Sequence, residues 1–142
     1  MKHKTLLCAA FCGTGKSYLC EKFPDMCIEF ECWEYQGKNF PDNYINDIVS
    51  KIGKVKYLFI STNPIVLKKL HDMGYMINLY YPKNNLKKEY FKRYIERGSH
   101  TEFLEALDKY WDGWLNELKE QNYYRHIILN TNEYLEEKLK FI

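Results

Sequence analysis

The stretch Thr5-Leu6-Leu7-Cys8-Ala9-Ala10-Phe11-Cys12-Gly13-Thr14-Gly15-Lys16-Ser17 decides how this chain is read. Thr5 to Phe11 is a short apolar run, the signature of a fully buried strand. It leads into Gly13 and Gly15, then into a helix-capable segment from Ser17 to Lys22 that Pro24 closes. Ala10 to Ser17 keeps the Walker A spacing, with the closing Gly-Lys-Ser intact and Ala10 in place of the first glycine. Gly13 and Gly15 can take positive φ, so successive backbone N–H groups can converge on β- and γ-phosphate oxygens while the helix start adds its partial positive charge. Lys16 brings a point charge to the same oxygens, and the Ser17 hydroxyl is placed to ligate Mg²⁺. Cys12, Gly13, Thr14, Gly15, Lys16 and Ser17 are thus the expected phosphate-binding set. Ala10 is compatible with it if its φ stays negative. Glycine turns between a strand and a helix also occur in α/β proteins that bind nothing there. The strand before and the helix after favour the binding loop here.

Outward from the loop, Met26 to Glu31 alternates Ile28 and Phe30 with Glu29 and Glu31, which predicts a second strand with both carboxylates on one face. Pro41 and Asp42 open a helix carrying Ile45, Ile48, Val49 and Ile52 at helical spacing, and Gly53 ends it. Tyr57 to Ser61 reads as a third strand. Asn63 as cap and Pro64 in the first turn start a helix with Val66, Leu67 and Leu70 inward and Gly74 at its end. Met76 to Tyr81 is a fourth strand. Leu86 to Arg97 then reads as a helix stopped by Gly98, and Ser99 with Glu102 as a capping box for another from His100 to about Glu120. That second helix sets Phe103, Leu104, Leu107, Trp111, Trp114, Leu115 and Leu118 on one stripe that packs against the core, with Trp111 and Trp114 both expected there. A fifth strand, His126 to Leu129, and a last helix from about Asn132 follow. Strands alternating with helices predict an α/β fold, a parallel sheet covered on both faces.

At 142 residues the chain is expected to form a single domain, 1–142. A formal charge of +2 mixes both signs, unlike a dedicated nucleic-acid binder, so a polymer substrate is neither required nor excluded. The 13 tyrosines point to an aromatic core and helix flanks before a base-stacking platform. Cys8, Cys12, Cys20, Cys27 and Cys32 are odd in number and hold no Cys-x-x-Cys pair, a poor framework for disulfides or zinc. Reduced, packed thiols are expected, with Cys12 set apart by its place in the phosphate loop. The apolar run Leu6 to Cys12 is too short to span a bilayer, so no membrane partner and a cytoplasmic location are expected. His3, His71, His100 and His126 are scattered and take no assigned chemistry.

In an α/β sheet the carboxyl ends of the strands form the ligand crevice. Glu29 and Glu31 stand there, one to hold Mg²⁺ and the other to orient or deprotonate an acceptor hydroxyl; the alternative is a half-solvated strand face. Glu29 is expected on the metal side with Ser17, and Glu31 as the base. The third strand ends Phe59-Ile60-Ser61-Thr62 without an acid, so the usual Walker B aspartate is missing. Glu89, Arg93 and Arg97 recur every four residues, on one helix face. Arg93 and Arg97 can close over the triphosphate as a lid and act with Lys16 on the transferring phosphoryl group; the alternative is a solvated Glu89–Arg93 pair. Asn43 and Tyr44 either line an acceptor pocket or simply begin a helix. The absence of an Asn-Lys-x-Asp guanine signal favours ATP.

With Phe11 to Ser17, Phe-Pro-Asp-Asn-Tyr-Ile at Phe40 to Ile45, Phe59 to Thr62, Leu-Tyr-Tyr-Pro at Leu79 to Pro82, Glu89 to Ser99 and Trp-Asp-Gly-Trp at Trp111 to Trp114, the chain resembles the small P-loop kinase-like proteins of bacteriophages and low-GC bacteria, described as nucleotide or nucleoside kinases. The resemblance implies a three-layer P-loop NTPase fold, a five-stranded parallel sheet with a helical lid at about 85–120. It implies ATP-dependent phosphoryl transfer without settling the acceptor, and a nucleoside, nucleotide or modified base is the acceptor expected here. In that family the second strand ends Asp-x-Asp, and Glu29 and Glu31 hold the matching positions with carboxylates about one bond further out. Two other readings stay open: a nucleotide-dependent switch with slow hydrolysis, which the missing aspartate fits, and an interaction protein with a decayed site.

Overall fold

A computed structural model describes residues 4–35 and 37–141, apart from the side chains of Cys32 and Trp33. His3 and the Cys32 thiol therefore lie outside the described residues. The chain alternates β1 (Leu6–Ala10), α1 (Lys16–Lys22), β2 (Cys27–Glu29), α2 (Asp42–Lys51), β3 (Tyr57–Ile60), α3 (Pro64–Asp72), β4 (Ile77–Pro82), α4 (Lys87–Glu96), α5 (Thr101–Lys119) and β5 (Arg125–Leu129). The five strands form one all-parallel sheet in the order β2-β3-β1-β4-β5. The expected α/β architecture is therefore present.

Alternate residues of β1 feed two cores. Leu7, Ala9 and Phe11 pack with α2, α3, α4 and α5 on one face, while Cys8 and Ala10 pack with Leu19 of α1 and Leu135 on the other. Only the β1 to β2 connection steps leftward in the strand order, and only its helix lies on the second face, as right-handed crossovers require. The chain leaving β1 therefore turns away from the chains leaving β3 and β4. A crevice opens over the end of β1, at the residues after Ala10.

Local signals settle several element ends. The Asn63 side chain accepts from the Ile65 and Val66 N–H groups, with Pro64 beginning α3. Gly53, Gly74 and Gly98 take positive φ where their helices stop.

Four expectations need correction. β2 ends at Glu29, so Glu31 stands beyond the strand, although the Phe30 N–H still reaches the Phe59 carbonyl at 2.9 Å. The Ser99–Glu102 capping box does not form: His100 is the N-cap of α5 without a side-chain bond, and the Ser99 hydroxyl accepts from Arg97 instead. The final helix is a single 3-10 turn, Leu135–Glu137, anchored by buried Leu135. Trp114 is not in the core; it is 38% exposed and stacked on Tyr110, whereas Trp111 is 1% exposed and donates through Nε1 to the Asn84 carbonyl at 2.8 Å.

The two tryptophans give a direct check on the packing. Trp111→Ala should cost about 3–5 kcal/mol and Trp114→Ala less than about 1 kcal/mol, read as midpoints of urea unfolding.

Candidate functional site

Ala10 is buried at the end of β1, and Asn132 is the one non-glycine residue with positive φ among the described residues, so Ala10 meets the condition set for it. Gly13 and Gly15 take φ of 83° and 100°, the left-handed turns the loop was expected to need. Their lack of a side chain also matters for space. A Cβ on Gly13 would lie 2.7 Å from Cε1 of Tyr94, and one on Gly15 would lie 3.3 Å from Cδ1 of Tyr134.

The carbonyls of Phe11, Cys12, Gly13 and Thr14 each have a hydrogen-bond partner. The Thr14 hydroxyl donates to the Phe11 carbonyl at 2.7 Å and the Tyr94 hydroxyl to the Cys12 carbonyl at 2.8 Å. Arg93 Nη1 donates to the Gly13 carbonyl at 2.8 Å, and the Leu135 N–H to the Thr14 carbonyl at 2.9 Å. With their carbonyls held this way, the N–H groups of Cys12 to Ser17 have no protein acceptor among the described residues. Lys16, at the start of α1, belongs to none of the ion pairs found among them. Unengaged backbone donors and one unpaired cation thus stand together on this loop, the kind of group that suits an anion.

Ser17 faces the carboxylates. Its hydroxyl lies 2.9 and 3.2 Å from the two oxygens of Glu29. Burial first, then the neighbouring Glu31 carboxylate, push the Glu29 carboxyl above its ordinary value, against the pull of Ser17 and Lys16. Glu29, Glu31, Ser17 and Lys16 therefore share one locality, as the spacing predicted. Arg97 joins it: the charges of Lys16, Arg97 and Glu31 all act on Cys12, whose thiol is nonetheless pushed up by burial. That thiol is a poor nucleophile, and Cys8, Cys12, Cys20 and Cys27 are all unpaired.

The two arginines expected to act together are separated. Arg97 is exposed at the end of α4, its guanidinium against Tyr94 and Phe103. Arg93 is drawn inward, its side chain only 11% exposed, with the guanidinium between the rings of Tyr90 and Tyr134 at 4.3 and 3.8 Å. Its Nη2 also donates to Glu89 Oε2 at 3.0 Å and to the Glu133 carbonyl at 3.2 Å. Glu89 in turn accepts from the Asn132 N–H at 3.1 Å. Every Arg93 donor named here is thus committed to protein oxygens, and the Glu89–Arg93 pair is not the solvated one considered from sequence. The segment 85–120 is likewise no detached excursion: Tyr90 and Tyr94 of α4 and Leu107, Trp111, Leu115 and Leu118 of α5 belong to the core. A swing of α4 would expose two fully buried tyrosines, so the packing opposes the mobile lid.

Tyr44 is buried rather than lining a pocket, its hydroxyl donating to the Phe30 carbonyl at 2.7 Å and accepting from the Ser61 N–H at 2.9 Å. Asn43 turns to the backbone of Tyr35 and Tyr44. Sequence reasoning missed Tyr134. Its ring closes one side of a cavity of about 380 Å³ that Gly15, Tyr18, Leu19, Glu136 and Glu137 also line. No local signal pointed to it, because Gly15, Tyr18 and Leu19, which line that cavity with it, lie far away in the chain. Among the described residues no group of three or more His, Cys, Asp or Glu side chains can hold a metal, and no helix is long and apolar enough to cross a membrane.

Comparison of the chain with models of known protein families and with curated proteins gives no match.

Two measurements follow from this geometry. Arg93→Ala should destabilise the chain by on the order of 3 kcal/mol, since it strands Glu89 and two carbonyls, while Arg97→Ala should stay within about 0.5 kcal/mol of the parent. Equal unfolding midpoints would remove Arg93 from its structural place. For Glu29, a folded pKa above the unfolded 4.5 means the folded chain binds the proton more tightly; its contribution to stability is present below 4.5 and lost as pH rises through the raised value. Glu29→Gln should therefore melt higher than the parent near neutral pH, with the gap closing by about pH 4.

Proposed function

We propose that this chain is a P-loop phosphotransferase that holds Mg-ATP on the loop from Ala10 to Ser17 and passes its terminal phosphoryl group to a nucleoside or nucleotide. The observation that carries the reading is that the N–H groups of Cys12 to Ser17 have no protein acceptor among the described residues, beside a Lys16 that belongs to none of the ion pairs found there. Such a row suits the β- and γ-phosphates of a nucleotide.

The cavity beside Gly15 would take the base: Tyr18 and Tyr134 line it, and the carboxylates of Glu136 and Glu137 can accept from an exocyclic amino group. That places the terminal phosphate toward Cys12, within reach of the charges of Lys16, Arg97 and Glu31.

The residues present fit Mg²⁺. Ser17 offers a hydroxyl and Glu29 a carboxylate, both hard oxygen donors, and Mg²⁺ keeps waters and phosphate oxygens for its other positions. Bound there it would neutralise charge on the phosphates. Glu29 then takes the place that an aspartate at the end of β3 commonly fills, since Ser61 and Asn63 at that end are occupied in starting α3. Lys16 steadies the terminal phosphoryl group from the loop side and Arg97 from the α4 side. Glu31 orients the acceptor and takes its proton.

Thermal unfolding tests the reading. Mg-ATP at about a hundredfold over its Kd contributes about 2.7 kcal/mol to the folded state, a rise of several degrees. Lys16→Ala should abolish that rise and leave the ligand-free melting temperature close to that of the parent. A parent chain whose melting temperature no nucleoside triphosphate moves would end the proposal.

A further inference from the structure

We infer that the sheet edge opposite the phosphate loop docks on an anionic lipid bilayer, with a group of lysines against the headgroups and Met73, Met76 and Tyr123 pressed into the boundary beneath them. The inference stands apart from the phosphotransferase reading, because neither the loop nor its ligand enters it.

The parallel sheet sets all five strand starts on one edge. Leu6 and Cys27 are both level with Tyr57, Leu7 is level with Ile77, and Asn78 with Arg125. Lys4 stands two residues before β1, Lys56 directly before β3, Met76 directly before β4 and Tyr123 two residues before β5. α2 and α3 run back to the same edge, where Lys51 ends the first and Met73 caps the second. Short contacts tie the basic half of this edge together. The Thr5 hydroxyl donates to the Val55 carbonyl at 2.6 Å and accepts from the Gly53 N–H at 2.7 Å, while the Lys54 N–H reaches the Lys51 carbonyl at 3.1 Å. The backbones of Lys4, Lys51, Lys54 and Lys56 are thus drawn round one turn. Lys140 joins them from far along the chain: its N–H donates to the Tyr57 hydroxyl at 2.8 Å, and its carbonyl accepts from Lys56 Nζ at 2.8 Å.

Charge at this edge is unbalanced. Among the described residues none of these five lysines belongs to an ion pair, whereas Lys22, Lys68, Lys69, Lys87 and Lys138 all do. Lys4, Lys54 and Lys140 are exposed. The acids that lead into the strands are Asp25, Asp72 and Glu120, and Asp72 is already held by Lys68 at 2.7 Å. Beside the cations the fold leaves three large side chains in water: Met76 is 86% exposed, Tyr123 64% and Met73 53%. Tyr123 is braced by the His71 ring, 4.6 Å away between centroids. Because β4 lies next to β1 in the sheet, the apolar half of the edge adjoins the basic half.

One partner satisfies both halves at once. Anionic headgroups attract lysines through their surface potential, and the acyl boundary just below them accepts apolar tips. A nucleic acid would engage the lysines and leave the methionines in water. An apolar protein face would cover the methionines and leave the lysines without counter-charge. Docking of this kind lies on the surface and needs no spanning helix. The loop, at the opposite edge, stays open to water.

The test is co-sedimentation of the full chain, without nucleotide, with vesicles of phosphatidylcholine alone and of phosphatidylcholine mixed with phosphatidylserine. Binding is expected to the mixed vesicles, weakening as salt is raised, and not to phosphatidylcholine alone. Lys4→Glu with Lys54→Glu should weaken it by on the order of 10²-fold, since each lysine near such a surface contributes about fivefold and a reversal counts twice. Met73→Ser with Met76→Ser should weaken it by about tenfold, with the melting temperature of the chain unchanged. Should the glutamate pair fail to fold, Lys4→Gln with Lys54→Gln should weaken binding by about 25-fold. No binding to the mixed vesicles, equal binding to phosphatidylcholine alone, or binding that survives the lysine or the methionine changes in a folded chain overturns the inference. So does a short DNA duplex that binds as tightly as the mixed vesicles and is indifferent to the methionine changes, which would assign the edge to nucleic acid.

Discussion

The orientation of a few peptide units governs this molecule. Successive carbonyls from Cys12 to Thr14 are held by a phenol, a guanidinium and a backbone amide, while the N–H groups of Cys12 to Ser17 have no protein acceptor among the described residues. Isolated peptide groups in water would gain little from such an order. Here the partners are fixed by burial: Tyr94 lies in the core, and Arg93 between two rings cannot turn elsewhere without leaving Glu89 and two carbonyls unpaired. The apolar packing of α4 thereby becomes the electrostatic shape of the loop. Gly13 is where the two meet, since any side chain there would collide with Tyr94.

That dependence changes the part α4 plays. Seen on a helical wheel, Arg93 and Arg97 are equivalent, one turn apart. In the fold, the four-residue step carries the first beneath the loop and leaves the second at its rim. One positive charge is held inside the protein and the other stands exposed. The same helix cannot both hold the loop from below through buried tyrosines and swing freely above it.

How much of this was legible in the sequence follows from the range of the interactions involved. The strand before the loop, the positive φ of Gly13 and Gly15, and the Asn63-Pro64 start of α3 are decided within a few residues, and all stand as expected. Glu29 met Ser17 because strand and helix are neighbours in a β-α-β unit. The Ser99-x-x-Glu102 pattern failed because Arg97, two residues before Ser99, competes for its hydroxyl. Trp114 shares the helical stripe of Trp111, yet the stripe is wider than the surface it covers, and Tyr110 rather than the core receives its ring. The places of Arg93 and Tyr134 depend on contacts spanning most of the chain, and no pattern of neighbouring residues encodes such contacts. Neither family models nor curated proteins offered a second route to them.

The contact between the Leu135 N–H and the Thr14 carbonyl has a consequence for the order in which the protein is made. Residues 10–17 precede in the sequence the groups that shape them, α4 first and then the turn at Leu135. Long loops must close before those contacts form, which slows the step and leaves the early segment waiting. Until those contacts close, the loop lacks the partners that hold its Gly13 and Thr14 carbonyls, so its shape is a property of the folded chain and not of the local sequence.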